Sequence, residues 1–546
     1  MCLLRLLWLS INAPFAYSAE SVIQFSLMPN PISIIPLPVS CVATGDAPFA
    51  LTARTVVVAP ADAALTFAAA ETARLLGVVV ADRAPKGGNA VMLTIYPTVT
   101  SALGAEGYLL TVTAHEIAII GGGPAGVFHG VQSLRQLLPP DVERFGWRAD
   151  GGRVTVPAVA IEDRPRFGWR GAMLDVSRHF SPVAEVKKFI DLLALHKFSV
   201  FHWHLVDDQG WRVEIKQDPK LTEVGAWRPA TLRQLHETGD DGVPHGGFYT
   251  QAELRDVVAY AADRAITVVP EIELPGHSSA ALAAYPELGC TDAPGYNPQV
   301  QTRWGIFPET YAPKPATLQF LDDVLGEVLD IFPSKFIHIG GDEAMKDQWE
   351  ASPSTRDFMA ANGLKDGHEL QSWFVRRTER FLAARGRRLV GWDEIQEGGL
   401  APGATMMAWR DVKWAVEAAS HGHDVVIAPT SHTYFDYTEG SGEEEGIPIG
   451  AQNTVAKVYG FEPIPADLEP EHHARVLGAQ GQLWRERIYS LPVIERRGFP
   501  RLTALSEVVW AQKDRRNYAD FRQRLPWLLA RLDRLGVNYR RPRPGE

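Results

Sequence analysis

The chain has 546 residues, of which 46% are hydrophobic and 22% charged, enough for two or three domains with a sizeable core. Its net charge of −11 argues against nucleic acid as the main partner. The three cysteines, Cys2, Cys41 and Cys290, show no spacing typical of a metal site or a disulfide framework, and whether Cys41 and Cys290 pair is open. The 15 tryptophans are suited to covering flat apolar surfaces such as the faces of sugar rings.

The first 20 residues predict a secretory signal. Arg5 precedes an apolar stretch at 6–15, and the small residues Ala16, Ser18 and Ala19 follow it. We therefore expect residues 1–19 to be removed and the protein to be exported, either periplasmic or secreted. Apart from this stretch, the sequence has no apolar run approaching the roughly 20 residues that a membrane span needs, so we expect no span.

Residues 20–160 predict a small α+β domain without evident chemistry. Its β-rich runs fall at 55–59, 90–95, 108–112 and 116–120, and its amphipathic helices at 61–76 and 125–138. The glycine-rich stretch 121–126 lacks the Lys-Ser/Thr pair of a phosphate loop, so a tight strand-to-helix turn is the better interpretation. Residues 21–50 are interpreted as a lead-in and residues 139–165 as a linker.

Strand-like runs then alternate with helical segments over residues 161–512. This pattern predicts a (β/α)8 TIM barrel, of the α/β class, with its site at the carboxyl ends of the strands. The eight predicted strands are 172–176, 199–204, 266–269, 336–339, 388–391, 405–408, 424–428 and 476–480. Helices are expected at 183–195, 251–264, 318–331 and 370–384. Within residues 513–546, a helix at 518–535 is expected to pack on the barrel exterior.

Polar and aromatic residues follow most of these strands where buried strands should be apolar. After the fourth strand, Gly340-Gly341 is followed by Asp342 and Glu343. A carboxylate pair costs stability if both members are ionised and desolvated, so one member can be held protonated for acid catalysis. Such residues at so many strand ends predict a polar, tryptophan-lined pocket, which the long insertions at about 213–250 and 274–317 would help to shape.

Five motifs, in this order, make the chain resemble the β-N-acetylhexosaminidases of glycoside hydrolase family 20. The motifs are Arg170-Gly171-x-x-x-Asp175-x-x-Arg178-His179-Phe180, His202-Trp203-His204 through Trp211-Arg212, residues 270–277, His338-x-Gly340-Gly341-Asp342-Glu343 and Gly391-Trp392-Asp393-Glu394. The resemblance covers nearly the whole chain after residue 30.

This resemblance implies exo-acting hydrolysis of terminal 2-acetamido-2-deoxy-β-hexosides (GlcNAc or GalNAc) by substrate-assisted retaining catalysis. The 2-acetamido oxygen of the substrate attacks the anomeric carbon and forms an oxazolinium intermediate, which makes this family an exception among glycosidases. Glu343 is implied as the general acid and later the general base. Asp342 is implied to orient the acetamido N–H and to stabilise the oxazolinium charge.

The resemblance also assigns residues around the terminal sugar. Tyr434 should donate to the acetamido oxygen, with Asp436 supporting it, and Trp392, Trp409 and Trp484 should wall the pocket. Outer hydroxyls should be bound by Arg170, Glu486 and either Asp207 or Asp208. His277 should support the acid pair, with Glu273 as its partner carboxylate. Arg485 is bulkier than the small residue expected after Trp484, which predicts a trimmed pocket edge.

Several assignments and two alternatives stay open at this point. Trp203 and Trp211 suit core packing and a site role equally, and His202, His204 and His338 are interpreted as buried structural histidines. A metal-dependent hydrolase using His202, His204, Asp207, Asp208 and His277 is one alternative, and a non-catalytic sugar-binding protein is the other. The preferred hypothesis needs no cofactor and no metal, takes N-acetylhexosamine-terminated glycans or oligosaccharides, and allows a monomer or a homodimer.

Overall fold

The computed structural model describes residues 32–60, 62–86, 88–232, 239–441 and 449–543. The predicted signal at residues 1–19 lies outside the described residues. The remaining chain forms an N-terminal mixed sheet with helices and then a closed barrel of eight parallel strands. The predicted combination of an α+β domain and a (β/α)8 barrel is confirmed.

The N-terminal sheet has seven strands. They are β1 Ser40–Ala43, β2 Val56–Val58, β3 Val79–Ala81, β4 Ala90–Ile95, β5 Tyr108–Val112, β6 Glu116–Gly121 and β7 Val159–Asp163, in the spatial order β1-β7-β5-β6-β4-β2-β3. Burial alternates along β5 and β6, so one face of each packs inward. Helices α1 Thr66–Leu76, α2 Pro97–Leu103 and α3 Pro124–Leu137 accompany the sheet.

Two sequence expectations for this domain are wrong. The supposed lead-in contains β1, and the supposed linker contains β7. The two pair antiparallel, with Ser40 opposite Glu162. β1 has only four residues, β7 lies in a stretch rich in proline and glycine, and the two partners lie about 120 residues apart in the chain. The partner strand, and not the local pattern, makes these segments extended.

The glycine-rich stretch after β6 is the tight turn that was predicted. Any Cβ at Gly122 or Gly126 would collide with the backbone carbonyls of Gly104 and Gly107, respectively. The glycines are therefore needed for close backbone approach where the chain enters α3.

The barrel closes with all eight predicted strands in sequence order. They are β8 Trp169–Asp175, β9 Val200–His204, β10 Thr267–Glu271, β11 Phe336–His338, β12 Arg388–Trp392, β13 Thr405–Ala408, β14 Val425–Ile427 and β15 Val476–Leu483. Pairing is parallel throughout, for example Asp175 beside His204 and His204 beside Glu271. Strand β8 begins three residues earlier than predicted, which places Arg170 inside the strand.

Helices surround the barrel. The long ones are α4 Val183–Leu195, α5 Gln251–Ala262, α6 Pro315–Ile331, α7 Gly367–Ala383, α8 Val412–Ser420, α9 Arg501–Trp510 and α10 Tyr518–Arg534. Shorter helices lie at Lys220–Glu223, Ser279–Ala284, Asp347–Ala351, Pro353–Ala361, Thr430–Thr433, Val455–Tyr459 and Leu491–Gly498. Two-residue strands pair at Phe49–Ala50 with Thr155–Val156, Val206–Asp207 with Gly210–Trp211, and Trp227–Arg228 with His245–Gly246.

Helix α10 packs its leucines into the barrel's outer core and also reaches the first domain. Arg531 Nη1 lies 2.5 Å from Glu143 Oε1, and Arg524 donates to the carbonyl of Ile34. The C-terminal helix therefore stabilises the junction between the two domains. Among the described residues, every helix is too short or too polar to cross a membrane.

Candidate active site

The acid pair lies on a bent loop after β11. Gly340 and Gly341 have φ values of +67° and +91°, and Glu343 itself has φ +50°. A Cβ at Gly340 would collide with the Glu273 carboxylate, and one at Gly341 would lie 2.6 Å from Ile395 Cγ2. Only glycine fits at both positions, and the resulting bend leaves Asp342 nearly buried and the Glu343 side chain 33% exposed.

His277 lies beside both acids. Its Nε2 is 3.6 Å from Asp342 Oδ2 and 3.5 Å from Glu343 Oε2, while its Nδ1 is 2.9 Å from Asp208 Oδ2. Burial opposes the charged imidazole, but the Asp207 and Asp342 carboxylates raise the pKa of His277 well above its usual value. A protonated His277 compensates the negative charge of the acid pair.

The expected pairing of Glu273 with His277 is wrong. The carboxylate that contacts His277 Nδ1 at 2.9 Å is Asp208, and Glu273 instead lies 3.5 Å from His204 Nε2. The four-residue spacing between Glu273 and His277 suggested that they pair. The chain turns between them, and His277 adopts φ +46°, so its ring is directed to Asp208. Burial and the neighbouring Asp342 raise the pKa of Glu273 well above its usual value.

Four aromatic rings form a cage next to the acid pair. Trp392 and Trp484 have ring centroids 5.7 Å apart, Tyr434 lies 6.4 Å from Trp484, and Trp409 stacks on Tyr434 at 6.0 Å. Three strand ends and the Tyr434 segment therefore bring together all four predicted aromatic residues. Such flat faces match the apolar faces of a sugar ring.

Buried carboxyl groups hold two of these rings in place. Trp392 Nε1 donates to Glu271 Oε1 at 2.8 Å, and Trp409 Nε1 donates to Glu394 Oε2 at 2.9 Å. Burial, followed by the charges of Asp342 and Asp393, raises the pKa of Glu394 to about 8. Glu394 is thus protonated at neutral pH, which limits the negative charge near Asp342.

Tyr434 and Asp436 lie on the segment after β14. Burial raises the pKa of Tyr434 well above its usual value, and the Asp342 charge adds to the shift, so the phenol keeps its proton. Burial and the nearby Glu486 raise the pKa of Asp436 to about 8. A protonated hydroxyl at Tyr434 is available as a donor into the cage.

The assignment of Arg170 to sugar binding is wrong. It is the second residue of β8, so its side chain lies at the amino end of the barrel, away from the acid pair. There it pairs with Glu106 and donates to the carbonyls of Phe167 and Lys197. Arg170 joins the barrel to the N-terminal domain.

Arg178 occupies the place that was expected for Arg170. It follows the carboxyl end of β8, and its guanidinium lies 2.7 Å from Asp207 Oδ2 and 5.1 Å from the centroid of the Trp484 ring. Burial opposes the charged guanidinium, but the Asp207, Asp175 and Glu486 carboxylates raise the pKa of Arg178 well above its usual value. The sequence signal for Arg178 was available, because it follows a strand end as the other site residues do.

Asp207 and Asp208 both contact His277 but differ in their other partners. Asp207 Oδ1 lies 3.3 Å from His277 Nδ1 and its Oδ2 lies 2.7 Å from the Arg178 guanidinium, whereas Asp208 also accepts from the Ser279 backbone N–H at 2.9 Å. Asp207 therefore links the outer polar residues of the cage to the histidine beside the acids, and Asp208 holds that histidine against the loop at Ser279.

Arg485 does not trim the pocket edge. Its side chain is fully buried and donates to the carbonyls of Ile488 and His179 and to Ser181 Oγ. Trp203 and Trp211 are also buried: Trp203 packs on Tyr249, and Trp211 Nε1 donates to the carbonyl of Val213. These three side chains serve packing and not the site.

The histidines below the cage form a buried polar network around Glu271. His202 Nε2 lies 2.9 Å and His338 Nδ1 2.8 Å from its carboxylate oxygens, and His204 lies 3.7 Å away. Although burial lowers it, the pKa of His204 is raised well above the usual value by Glu271 and Asp175. The interpretation of all three as buried histidines fits this arrangement.

The geometry can be compared with that of a metal site. Asp207, Asp208 and His277 offer ligand atoms within 4.8 Å of one another. However, Asp207 already faces the Arg178 guanidinium and Asp208 faces His277 Nδ1. The arginine cation, which lies outside this group, already neutralises Asp207, and this disfavours a metal cation here.

Comparison with known proteins places this geometry in a family. The catalytic domain of glycosyl hydrolase family 20 matches residues 167–513, and domain 2 of the same family matches residues 31–164. The β-hexosaminidase of Porphyromonas gingivalis is 44% identical over 84% of this chain, and the chain spans 57% of that protein's length. The β-N-acetylhexosaminidase of Cellulomonas fimi is 34% identical over 94% of this chain and 96% of its own length.

A solved structure agrees. An exo β-N-acetylglucosaminidase from Vibrio harveyi, in complex with N-acetylglucosamine, has a TM-score of 0.80 and 34% identity, covering 94% of this chain and 79% of its own. Fold and acid pair together define a glycoside hydrolase. More particularly, the chain belongs to glycosyl hydrolase family 20 and groups with its β-N-acetylhexosaminidases.

Proposed function

We propose that this protein removes terminal non-reducing 2-acetamido-2-deoxy-β-hexosides from glycans or oligosaccharides by substrate-assisted, retaining catalysis. The observation that carries the proposal is the acid pair at the end of β11, next to an aromatic cage that contains a protonated tyrosine. The substrate supplies the nucleophile, so the protein needs one acid and a second carboxylate that orients the acetamido group.

Glu343 acts as the general acid. Its side chain is partly exposed and borders a cleft of about 550 Å3, which Trp409 and Lys346 also line. A leaving group in this cleft can receive the proton, and water entering the same space can later be activated by the Glu343 carboxylate. His277 lies within 3.5 Å and keeps the acid oriented through both steps.

Asp342 and Tyr434 hold the acetamido group. Asp342 Oδ1 is buried and has no hydrogen-bond partner among the described residues, so it is free to accept the acetamido N–H. Tyr434 donates a hydrogen bond from its hydroxyl to the acetamido oxygen and keeps its proton. Holding this oxygen against the anomeric carbon removes much of the entropic barrier to ring closure, and Asp342 stabilises the positive charge of the oxazolinium.

Arg178, Asp207 and Glu486 are the residues proposed to bind the outer hydroxyls. Glu486 Oε2 is buried without a partner in the described part of the chain, and Arg178 points toward the same region. Polar groups that bind the outer hydroxyls of a sugar require those hydroxyls to be free, and this is true only of the terminal sugar of a glycan. The exo mode named for the Vibrio harveyi neighbour supports this proposal.

The test is a panel of aryl β-glycosides that differ only at C2. The 2-acetamido sugar should be hydrolysed with retention of configuration, which NMR detects as the β-anomer being the first product released. A thiazoline analogue of the oxazolinium should inhibit this reaction. Substrates with a free amine or hydroxyl at C2 should be very poor. Efficient turnover of either would refute the substrate-assisted mechanism.

Glu343→Gln tests the acid on the same panel. Turnover of a 4-nitrophenyl N-acetylglucosaminide should fall by about 10²–10⁴-fold, the range that general acid catalysis contributes. Near-normal turnover by Glu343→Gln would show that another residue is the general acid. For the exo mode, a reducing-end-labelled oligosaccharide should lose single sugars from its other end, whereas internal products would contradict it.

Two further measurements separate the alternatives. Activity that survives a chelator argues against a metal-dependent hydrolase, and any turnover at all argues against a purely sugar-binding protein. Export is proposed on the N-terminal sequence pattern alone, and appearance of the shortened protein outside the cytoplasm of an expressing cell would support it.

A further inference from the structure

Two carbonyl groups bracket the acid pair, and one two-residue bridge holds both. Gln371, on α7, donates from Nε2 to the Gly341 carbonyl at 2.6 Å. Lys346 donates from Nζ to the Ala344 carbonyl at 2.5 Å and also to Gln371 Oε1. The bridge therefore runs from Gly341 through Gln371 and Lys346 to Ala344, around Asp342 and Glu343.

The segment inside the bridge needs such support. Glu343 has φ +50°, a left-handed conformation that costs a residue with a side chain about 1–2 kcal/mol. Strained residues of this kind persist only where the surrounding structure over-determines them. The carbonyl of Ala344 directly follows Glu343, so its bond to Lys346 opposes relaxation of the Glu343 backbone.

The side chains of the bridge are themselves held in place. Gln371 is fully buried. The stem of Lys346 lies over Gly367, the first residue of α7, where any Cβ would come within 2.8 Å of the lysine Cβ and Cγ. Glycine at this position is thus what allows the lysine to lie flat against the helix and reach both acceptors.

From this geometry we propose that Lys346 and Gln371 are positioning residues that hold Glu343 at the angle needed to protonate the leaving group. The inference rests on the proposed role of Glu343 as the general acid. Neither residue touches the reacting atoms. The bridge ties the acid loop to α7, so the position of the acid is set by a barrel helix and not by the loop alone.

The experiment measures dependence on the leaving group. Lys346→Met keeps the stem and removes the donors, and Gln371→Met breaks the same bridge from the other side. With an N-acetylglucosaminide whose leaving group needs protonation but is an aryl group of similar size, such as 4-methoxyphenol, kcat/KM should fall by 10-fold or more. With a 2,4-dinitrophenyl leaving group, which departs without a proton, the fall should stay below about 3-fold.

The double variant should lose little more activity than the more impaired of the two single variants, because both changes break the same bridge. Lys365→Met is the matched control: this lysine is 83% exposed and forms an ion pair with Glu369 near the start of the same helix. It should change no substrate by more than about 2-fold. If Lys346→Met does not fold, Lys346→Arg retains N–H donors and should give an intermediate leaving-group dependence.

Equal losses for every leaving group, or no loss, would overturn the positioning role. Glu343→Gln on the same series distinguishes the two proposals. If Glu343→Gln shows no leaving-group dependence, the assignment of the acid fails. If it does and the bridge variants do not, only the role of Lys346 and Gln371 fails.

Discussion

At the scale of single residues, Arg170 and Arg178 show how much position within a strand decides. They are eight residues apart, yet Arg170 lies near the start of β8, at the amino end of the barrel, and Arg178 lies just beyond its last residue, at the carboxyl end. Arg178 lies against Asp207 and over the Trp484 ring, where it can meet a sugar hydroxyl. Arg170 is covered by the N-terminal domain.

Arg178→Met should lower kcat/KM by roughly 10²-fold, because a charged hydrogen bond to substrate and the partner of buried Asp207 are both lost, together about 3 kcal/mol. Initial rates with an aryl N-acetylglucosaminide measure the change. A variant with unchanged kcat/KM would show that Arg178 serves only to neutralise Asp207.

A second residue-scale prediction concerns Glu394, whose pKa of about 8 lies above its ordinary 4.5. Between these values the folded protein binds a proton that the unfolded chain has released. The free energy of unfolding should therefore fall as pH rises through this window. In Glu394→Gln, the fall in the free energy of unfolding between pH 6 and 9 should be smaller by on the order of 1–3 kcal/mol, and the remaining fall should reflect groups such as Asp436. Denaturant unfolding at both pH values measures it, and an unchanged slope would contradict the shifted pKa.

At the scale of elements, the loop after β11 combines three left-handed residues with the acid pair. Its first glycine lies against the Glu273 carboxylate, and Lys346 and Gln371 hold its end. Strand β11 ends at His338, only four residues before Asp342. The backbone therefore turns sharply at Gly340 and Gly341 to bring Asp342 over the barrel.

Gly340→Ala should abolish most activity, by about 10²-fold or more, and should destabilise the fold. The new methyl group collides with Glu273, and φ +67° is unfavourable for alanine. Rates and thermal unfolding measure the two effects. Gly326→Ala in α6, with open space around its Cβ, is the control and should leave activity unchanged and stability the same or slightly higher. Equal behaviour of the two variants would remove the steric argument.

At the scale of the whole molecule, the N-terminal domain closes the amino end of the barrel through buried polar contacts. Lys197 Nζ lies 3.2 Å from Asp163 Oδ2, Trp510 Nε1 donates to Asp163 Oδ1 at 2.9 Å, and Arg170 pairs with Glu106. The first domain thus contributes to the stability of the barrel from the end opposite the acid pair.

Arg170→Met should lower stability by about 1–3 kcal/mol, because it leaves the buried carbonyls of Phe167 and Lys197 without their donor and removes an ion pair whose glutamate is partly exposed. The folded fraction should keep the kcat and KM of the native protein. Thermal unfolding combined with kinetics at low temperature tests both statements. A raised KM with unchanged stability would instead indicate that Arg170 binds the sugar.

The two cysteines left open by the sequence are both free: Cys41 lies in β1 and buried Cys290 lies near Thr355. No spacing rule could have settled this, because pairing depends on distance in space. The same limit applied to His277, whose partners Asp207 and Asp208 follow another strand, and to Arg485, two of whose acceptors, His179 and Ser181, lie on the segment after β8.

The sequence by itself determined the eight barrel strands, four of the helices around them and the polar residues at the strand ends, and its resemblance to a known family assigned the acid pair and the four aromatic residues. These features have local signals, namely apolar runs, a 3.6-residue period and polar residues after strand ends. Only the tertiary structure decided that β1 pairs with β7, that Arg170 belongs to the domain junction, and that Lys346 and Gln371 brace the acid loop. Those contacts join residues distant in the chain, and their energies depend on which end of a strand, and which neighbour, each side chain meets.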